Sequence, residues 1–170
     1  MDLLAAGTRS QEKAEAGCCL HGVEAVLQVT HGPHFPPSTE NLAQIIAGLA
    51  QDYRWIVAVH DTFGADVMGR VGGLLETSPI TQVTGILDSD TVTRPVQAGQ
   101  AIARVVMKKF PSLLTVRPTA FVPAAKTENL APVRYLALPE GVLSGEHHGF
   151  YPSLSQRPDL NQAAIVVAGG

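Results

Sequence analysis

The chain has 170 residues, of which 45% are hydrophobic and 16% charged, and its formal net charge is -3 at pH 7. A chain of this length buries about 70% of its unfolded surface, so one α/β domain is expected and two full domains would be cramped. The scattered lysines and arginines do not form the basic stripe of a nucleic-acid-binding protein, and no apolar run reaches the ~18 residues that predict membrane insertion.

The first half of the sequence alternates apolar strands with helices. Strands are predicted at Asp2–Ala6, Val23–Val29 and Trp55–Val59. Helices are predicted at Ser10–Leu20, capped by Ser10, at Glu40–Gln51, capped by Thr39, and at Phe63–Leu75. Three strand–helix units in succession predict a mostly parallel sheet with helices on its faces.

The pattern changes after the third helix, where β-rich segments follow one another. These are Ile80–Leu87, Val92–Val96, Ala101–Met107 and Leu113–Val116. The short polar connections Asp88–Asp90 and Lys108–Ser112 predict antiparallel hairpins added to the parallel sheet. The fold class is therefore α/β, a mostly parallel sheet with added antiparallel strands.

The sequence divides into three predicted regions. Residues 1–122 form the α/β domain, and residues 123–158, rich in Pro, Gly, Ser and charge, form an extended arm or linker with one strand at Val133–Leu138. Residues 159–170 begin a new unit with an apolar strand at Leu160–Ala168.

Histidine and cysteine patterns do not predict a metal site or a nucleophile. The adjacent Cys18 and Cys19 are interpreted as free thiols, in keeping with a reducing compartment. His31 and His34 flank a proline without further ligands, and His147–His148 lie in the arm, so solvated loop histidines are the simpler interpretation. No Gly-x-Ser-x-Gly elbow occurs. His60–Asp61 is interpreted as a strand end that caps the following helix, and no catalytic residue is assigned.

Glycine patterns offer one candidate for cofactor binding. Gly7–Thr8 follows the first strand without a Gly-x-Gly-x-x-Gly motif, and Gly69–Gly73 lies inside a predicted helix whose N–H groups are already bonded. Gly169 and Gly170 follow an apolar strand, where a dinucleotide-binding turn would begin. They are the predicted cofactor-binding residues, at the onset of an incomplete turn.

The segment Asp90–Ala101 reads DTVTRPVQAGQA and is similar to "DTFVRPIYAGNALA" of the electron transfer flavoprotein alpha subunit. It is the most specific of several segments along nearly the whole chain that resemble this family in order. Further matching segments are Asp2–Thr8, Gly22–Leu27, Thr62–Gly64, Pro79–Val83, Leu114–Phe121, Arg157–Leu160 and Ile165–Gly170. Ala65, Asp66, Gly69 and Pro118 depart from the family's usual residues.

The resemblance implies a three-layer Rossmann-like sheet of the adenine-nucleotide alpha-hydrolase type. It also implies an electron carrier rather than an enzyme. The complete heterodimer binds FAD, with AMP in the beta subunit, and passes electrons from dehydrogenases, such as acyl-CoA dehydrogenases of fatty acid β-oxidation, to a quinone oxidoreductase or another acceptor. This chain would be the platform domain against the beta subunit and would carry no cofactor alone. The implied location is the bacterial cytoplasm or the mitochondrial matrix.

The family also implies one more strand and helix before Asp2 and an FAD domain after Gly170. The first strand is therefore expected to border a gap, and the isolated chain to associate. Two alternatives remain: a stand-alone adenine-nucleotide-binding domain of the universal-stress type, and an inactive gene fragment.

Overall fold

The computed structural model describes residues 1–7, 9–30, 38–137, 160 and 163–169. The helices are α1 (Ser10–Cys18), α2 (Thr39–Leu49) and α3 (Thr62–Leu74). The strands are β1 (Asp2–Ala5), β2 (Ala25–Thr30), β3 (Trp55–Val59), β4 (Ile80–Val83), β5 (Gly85–Ile86), β6 (Thr91–Val96), β7 (Ala101–Val106), β8 (Ser112–Val116) and β9 (Val133–Ala137).

The strands form three small sheets. One has the order β1-β2-β9 and another the order β3-β8-β4, and both are parallel throughout. The third, β5-β6-β7, is antiparallel and is called the ribbon below. The predicted α/β class, with parallel sheet and added antiparallel strands, is confirmed.

Helices cover the sheets as the alternating apolar pattern predicts. Leu42 and Ala43 of α2 and Val67, Met68 and Val71 of α3 form one buried cluster with Leu113 of β8. On β1 and β2, Ala14 and Cys18 of α1 pack against Ala5 and Val26. The core is thus built between helices and strands, as in layered α/β proteins.

The helix caps differ from the prediction at two of three positions. Ser38, not Thr39, caps α2, because its hydroxyl accepts a hydrogen bond from the Asn41 N–H at 3.3 Å. Ser10 is the first helical residue of α1, which leaves Arg9 at the cap without a side-chain bond. Helix boundaries vary by one or two residues, so the sequence alone does not determine which of two adjacent capping residues lies at the N-cap.

The predicted hairpin at Lys108–Ser112 is wrong. β8 leaves the ribbon and enters the parallel sheet between β3 and β4. Leu113 and Leu114 are 1% and 0% exposed and pack on opposite faces of that sheet, into separate clusters. Burial on both faces favours the centre of a parallel sheet over a hairpin edge.

The segment Ile80–Leu87 also differs from the prediction, because it divides into two strands. β4 pairs in parallel with β8, and β5 pairs antiparallel with β6. Gln82 has a φ of 59°, and the register with β8 shifts between Ile80 and Val83. This irregularity bends the segment from one sheet into the other.

The described part of the predicted arm is tied to the first sheet. The Thr127 N–H donates to the Cys19 carbonyl at 2.8 Å, and the Ala131 N–H donates to the Cys18 carbonyl at 3.0 Å. The predicted strand at Val133 is confirmed as β9, which pairs in parallel with β2. The rest of the arm, residues 138–158, lies outside the described residues.

The predicted strand at Leu160–Ala168 does not form in the described residues 160 and 163–169. Ile165 and Val167 are 86% and 93% exposed. None of the strands that the structure describes pairs with this segment, and a single segment without a hydrogen-bonded partner does not form a sheet.

Candidate functional site

Several of the site residues considered in the sequence lie outside the described residues. These are Gly170, His31, His34, His147 and His148. Gly169 is described and exposed, and nothing lies within 4 Å of an ideal Cβ built on it. Among the described residues, no group of three His, Cys, Asp or Glu side chains could hold a metal ion. Cys18 and Cys19 are free thiols, as predicted.

His60 and Asp61 are adjacent after β3 but have different hydrogen-bond partners. The Asp61 Oδ1 accepts a hydrogen bond from the Gly64 N–H at 2.7 Å and caps α3. His60 Nδ1 lies 2.9 Å from the Thr115 Oγ1. The predicted capping role of this strand end is therefore confirmed, because the carboxylate is engaged with the helix.

The glycines of α3 serve packing. A Cβ on Gly72 would lie 2.6 Å from the Thr77 carbonyl oxygen, and one on Gly64 would lie 2.0 Å from the Val59 carbonyl oxygen. Close backbone approach explains glycine at both positions. Gly69 and Gly73 face open space on the same helix, so the glycine-rich run does not build a phosphate cradle.

The ribbon has one face in the core and one face toward solvent. Val92 of β6 and Val105 of β7 are register partners and pack against Met107 and Leu114. Alternate residues of β7 point the other way. Ile102 and Val106 are 65% and 57% exposed, and Arg104 between them is also exposed. These three residues are called the ribbon face.

Polar contacts fix the ribbon against the parallel sheet. The Arg54 guanidinium, just before β3, pairs with the Asp90 carboxylate at the start of β6. The same guanidinium stacks over the Phe110 ring, 4.2 Å from its centroid. In the β5–β6 turn, the Asp88 carboxylate accepts from the Asp90 N–H at 2.8 Å. This bond, with others from Thr91, lowers the pKa of Asp88.

The ribbon face combines exposed apolar side chains with one charged side chain. It carries no nucleophile and no acid–base pair, and it presents two large apolar side chains around one arginine. Arginine is among the residues that are enriched at protein–protein interfaces. The sequence predicts the strand but not the exposure of this face, although the alternate spacing of residues 102, 104 and 106 is visible in it.

Two shallow depressions lie near the ribbon, where β7 leads into β8. They measure about 280 and 250 Å³ and share Thr77, Lys109 and Pro111 in their walls. Neither gathers the convergent polar groups that orient a small ligand. Of the described helices, none has the length and apolar character needed to cross a bilayer.

Comparison with known proteins gives a family. A sequence model of the electron transfer flavoprotein domain matches residues 1–140. The electron transfer flavoprotein subunit alpha of Pseudomonas aeruginosa is 33% identical over 168 residues, which cover 99% of this chain and 54% of the relative.

Two further relatives are also electron transfer flavoprotein alpha subunits. The alpha subunit of Paracoccus denitrificans is 34% identical over 99% of this chain and 54% of its own length. The mitochondrial alpha subunit of Arabidopsis thaliana is 33% identical over 100% of this chain and 51% of its own length. The chain thus spans about half the length of these relatives.

Proposed function

This chain belongs to the electron transfer flavoprotein domain family, and we propose that it is the platform domain of an alpha subunit which binds a beta subunit through the ribbon face. The proposal is supported by the in-order similarity to alpha subunits over the whole chain. The subunit would carry electrons between other proteins and would catalyse no bond rearrangement of its own.

The ribbon face is the observation that carries the docking role. Ile102 and Val106 are more than half exposed on a strand whose other face is packed. The ribbon is held at its base by Arg54, Asp90 and Phe110. A partner would therefore meet preorganised apolar groups, which lowers the ordering cost of association.

The complete heterodimer would bind FAD, and AMP would lie in the beta subunit. In this chain, Gly169 and Gly170 would begin the turn that holds the FAD pyrophosphate, and the open space around Gly169 suits close backbone approach. The flavin supplies the redox chemistry when bound. The chain's own residues would position the beta subunit and, through it, the cofactor domain.

The electron donors would be dehydrogenases, and the acceptor would be a quinone oxidoreductase or another carrier. The proposed location is the bacterial cytoplasm or the mitochondrial matrix, where such dehydrogenases work.

Co-expression with an electron transfer flavoprotein beta subunit tests the docking role. The double variant Ile102→Glu, Val106→Glu should weaken retention of the beta subunit by about tenfold or more, because two charges would be desolvated at the interface. Leu130→Glu is the matched control, since Leu130 is 69% exposed outside the ribbon.

The control variant should retain the beta subunit like the unaltered chain. Equal retention by the ribbon variant would overturn the proposed interface. Loss of retention by Leu130→Glu as well would show that the effect is general to added charge and does not locate the interface at the ribbon.

A further inference from the structure

The two shallow depressions near the ribbon share one wall, which is formed by Thr77, Lys109 and Pro111. Together they are called the lysine cleft, because Lys108 also lines the second depression. Their volumes, about 280 and 250 Å³, are below the ~300 Å³ at which pockets for small molecules begin. The cleft therefore has room for individual side chains of a partner protein rather than for a whole cofactor.

The lysine cleft is continuous with the ribbon face. Val106 belongs to the ribbon face and is also a wall residue of the second depression. Met107 then packs into the core, and Lys108 and Lys109 return to the surface. Three residues span at most about 11 Å, and a standard interface covers about 800 Å² on each partner. A partner that covers Val106 therefore extends over the cleft as well.

This surface concentrates positive charge on an acidic molecule. The chain has 12 lysines and arginines against 15 aspartates and glutamates, and its formal net charge is -3. Residues 104–109 carry three of those positive charges, on Arg104, Lys108 and Lys109, and contain no acidic residue. A local surplus of one sign attracts a partner surface of the opposite sign.

The two lysines form no ion pair within the described part of the chain. Arg54 and Arg70, by contrast, each pair with an acidic side chain. Glu76 lies in the wall of the first depression but forms no ion pair with either lysine. The ammonium groups of Lys108 and Lys109 can therefore pair with carboxylates of a partner without breaking an existing pair.

Apolar side chains lie beside the lysines. Phe110 lines the first depression and is 45% exposed, and Val106 lines the second and is 57% exposed. Pro111 contributes to both. This combination fits a polypeptide with carboxylates next to apolar side chains, whereas a nucleic acid would need a longer basic stripe for its phosphates.

We infer that the lysine cleft receives an acidic segment of the beta subunit, whose Asp or Glu carboxylates pair with Lys108 and Lys109. The inference rests on the proposed docking of a beta subunit at the ribbon face, and it adds the chemistry of the partner's surface. The ribbon face supplies apolar contact area, and the two lysines orient the approaching acidic segment. Exposed charges at an interface act mainly on the association rate and on specificity.

Association kinetics with an immobilised electron transfer flavoprotein beta subunit test this role. The variant Lys108→Glu, Lys109→Glu should lower the association rate constant about tenfold at about 50 mM salt, and the loss should fade above about 0.5 M salt, because salt screens exposed charges. The matched control is Lys13→Glu, Lys126→Glu, which changes the net charge equally beside the first sheet. It should lower the rate constant less than about twofold.

Carbodiimide coupling locates the ion pairs directly. The reagent joins an amine and a contacting carboxylate through an amide bond and takes up the water that is released. Mass spectrometry should find Lys108 or Lys109 joined to an Asp or Glu of the beta subunit. The variant Lys108→Arg, Lys109→Arg keeps both charges, so it should restore the association rate that the glutamate variant loses. It should also lose these cross-links, because a guanidinium group does not couple.

The outcomes separate this inference from the proposed function. Reversed lysines that associate as fast as the matched control, or cross-links confined to other lysines, would overturn the inference even if the ribbon-face variant loses the beta subunit. A ribbon-face variant that binds as well as the unaltered chain would overturn the proposed interface instead. Failure of the unaltered chain to bind a beta subunit would overturn both.

Discussion

Four apolar parallel strands have very different environments in this molecule. β2 and β8 each lie between two strands, and both are buried over most of their length. Among the strands that the structure describes, β1 and β3 each pair with one other strand. β1 has a single buried residue, Ala5, and β3 has none. Apolar composition alone therefore does not bury a strand. A lateral neighbour and a covered second face are also needed.

The first prediction compares β8 with β3 by large-to-small substitution. Leu114→Ala should lower the free energy of unfolding by about 3 to 5 kcal/mol, because a fully buried side chain leaves a cavity. Val57→Ala should change it by less than about 0.5 kcal/mol, as expected for a surface position, since Val57 is 51% exposed. Urea unfolding of both variants measures the difference, and comparable losses would contradict the contrast between the strands.

The second prediction concerns the carboxyl end of β3, where α3 begins. Gly64→Ala should destabilise the chain by about 2 to 3 kcal/mol, because its Cβ would overlap a backbone oxygen. That oxygen belongs to Val59, 2.0 Å from the ideal Cβ position. Gly69→Ala, in open space on the same helix, should stabilise by about 0.5 to 1 kcal/mol. Thermal unfolding of the two variants measures these changes in stability. Unchanged stability of Gly64→Ala would mean that β3 is not closely packed even at this end.

A smaller effect is expected at the cap that follows β3. Asp61→Ala removes the hydrogen bond to the Gly64 N–H and should cost about 1 kcal/mol of stability. Asp61→Asn is the matched control, because its side-chain oxygen can still accept that bond. Chemical unfolding measures the stability of both variants. Equal destabilisation would indicate that the charge of Asp61, rather than its capping hydrogen bond, stabilises the chain.

The sequence predicts the local elements of the fold better than it predicts the neighbours of each strand. Local patterns predicted β1, α2, β3 and α3 and the β5–β6 hairpin, because periodicity and turn residues are local properties. The position of β8 between β3 and β4 was missed, since Leu113–Val116 has the same composition at a hairpin edge and at a sheet centre. The ribbon face was missed because exposure depends on what covers each face of a strand.

The smallest predicted effect is a pH dependence of stability at the contact between Tyr53, before β3, and Asp2 of β1. Burial, and then the hydrogen bond to Asp2, raise the pKa of Tyr53 from 10.0 to about 12. The neutral phenol thus contributes its stability fully below pH 10, and this contribution is lost as the pH rises through 12. Unfolding measurements across this range should show a steeper loss for the unaltered chain than for Tyr53→Phe. Parallel curves would mean that the Tyr53–Asp2 contact does not hold the two strand ends together.

Amide hydrogen exchange within β3 tests most directly whether the edge toward β1 is open. We expect slow amide exchange at Ile56 and Ala58, whose N–H groups bond β8, and fast exchange at Val57, whose N–H points away from β8. Leu4 of β1, whose N–H points away from β2, should exchange as fast as Val57. Exchange at Val57 and Leu4 as slow as at Ile56 would show that these edges are paired, and would contradict the difference between the strands.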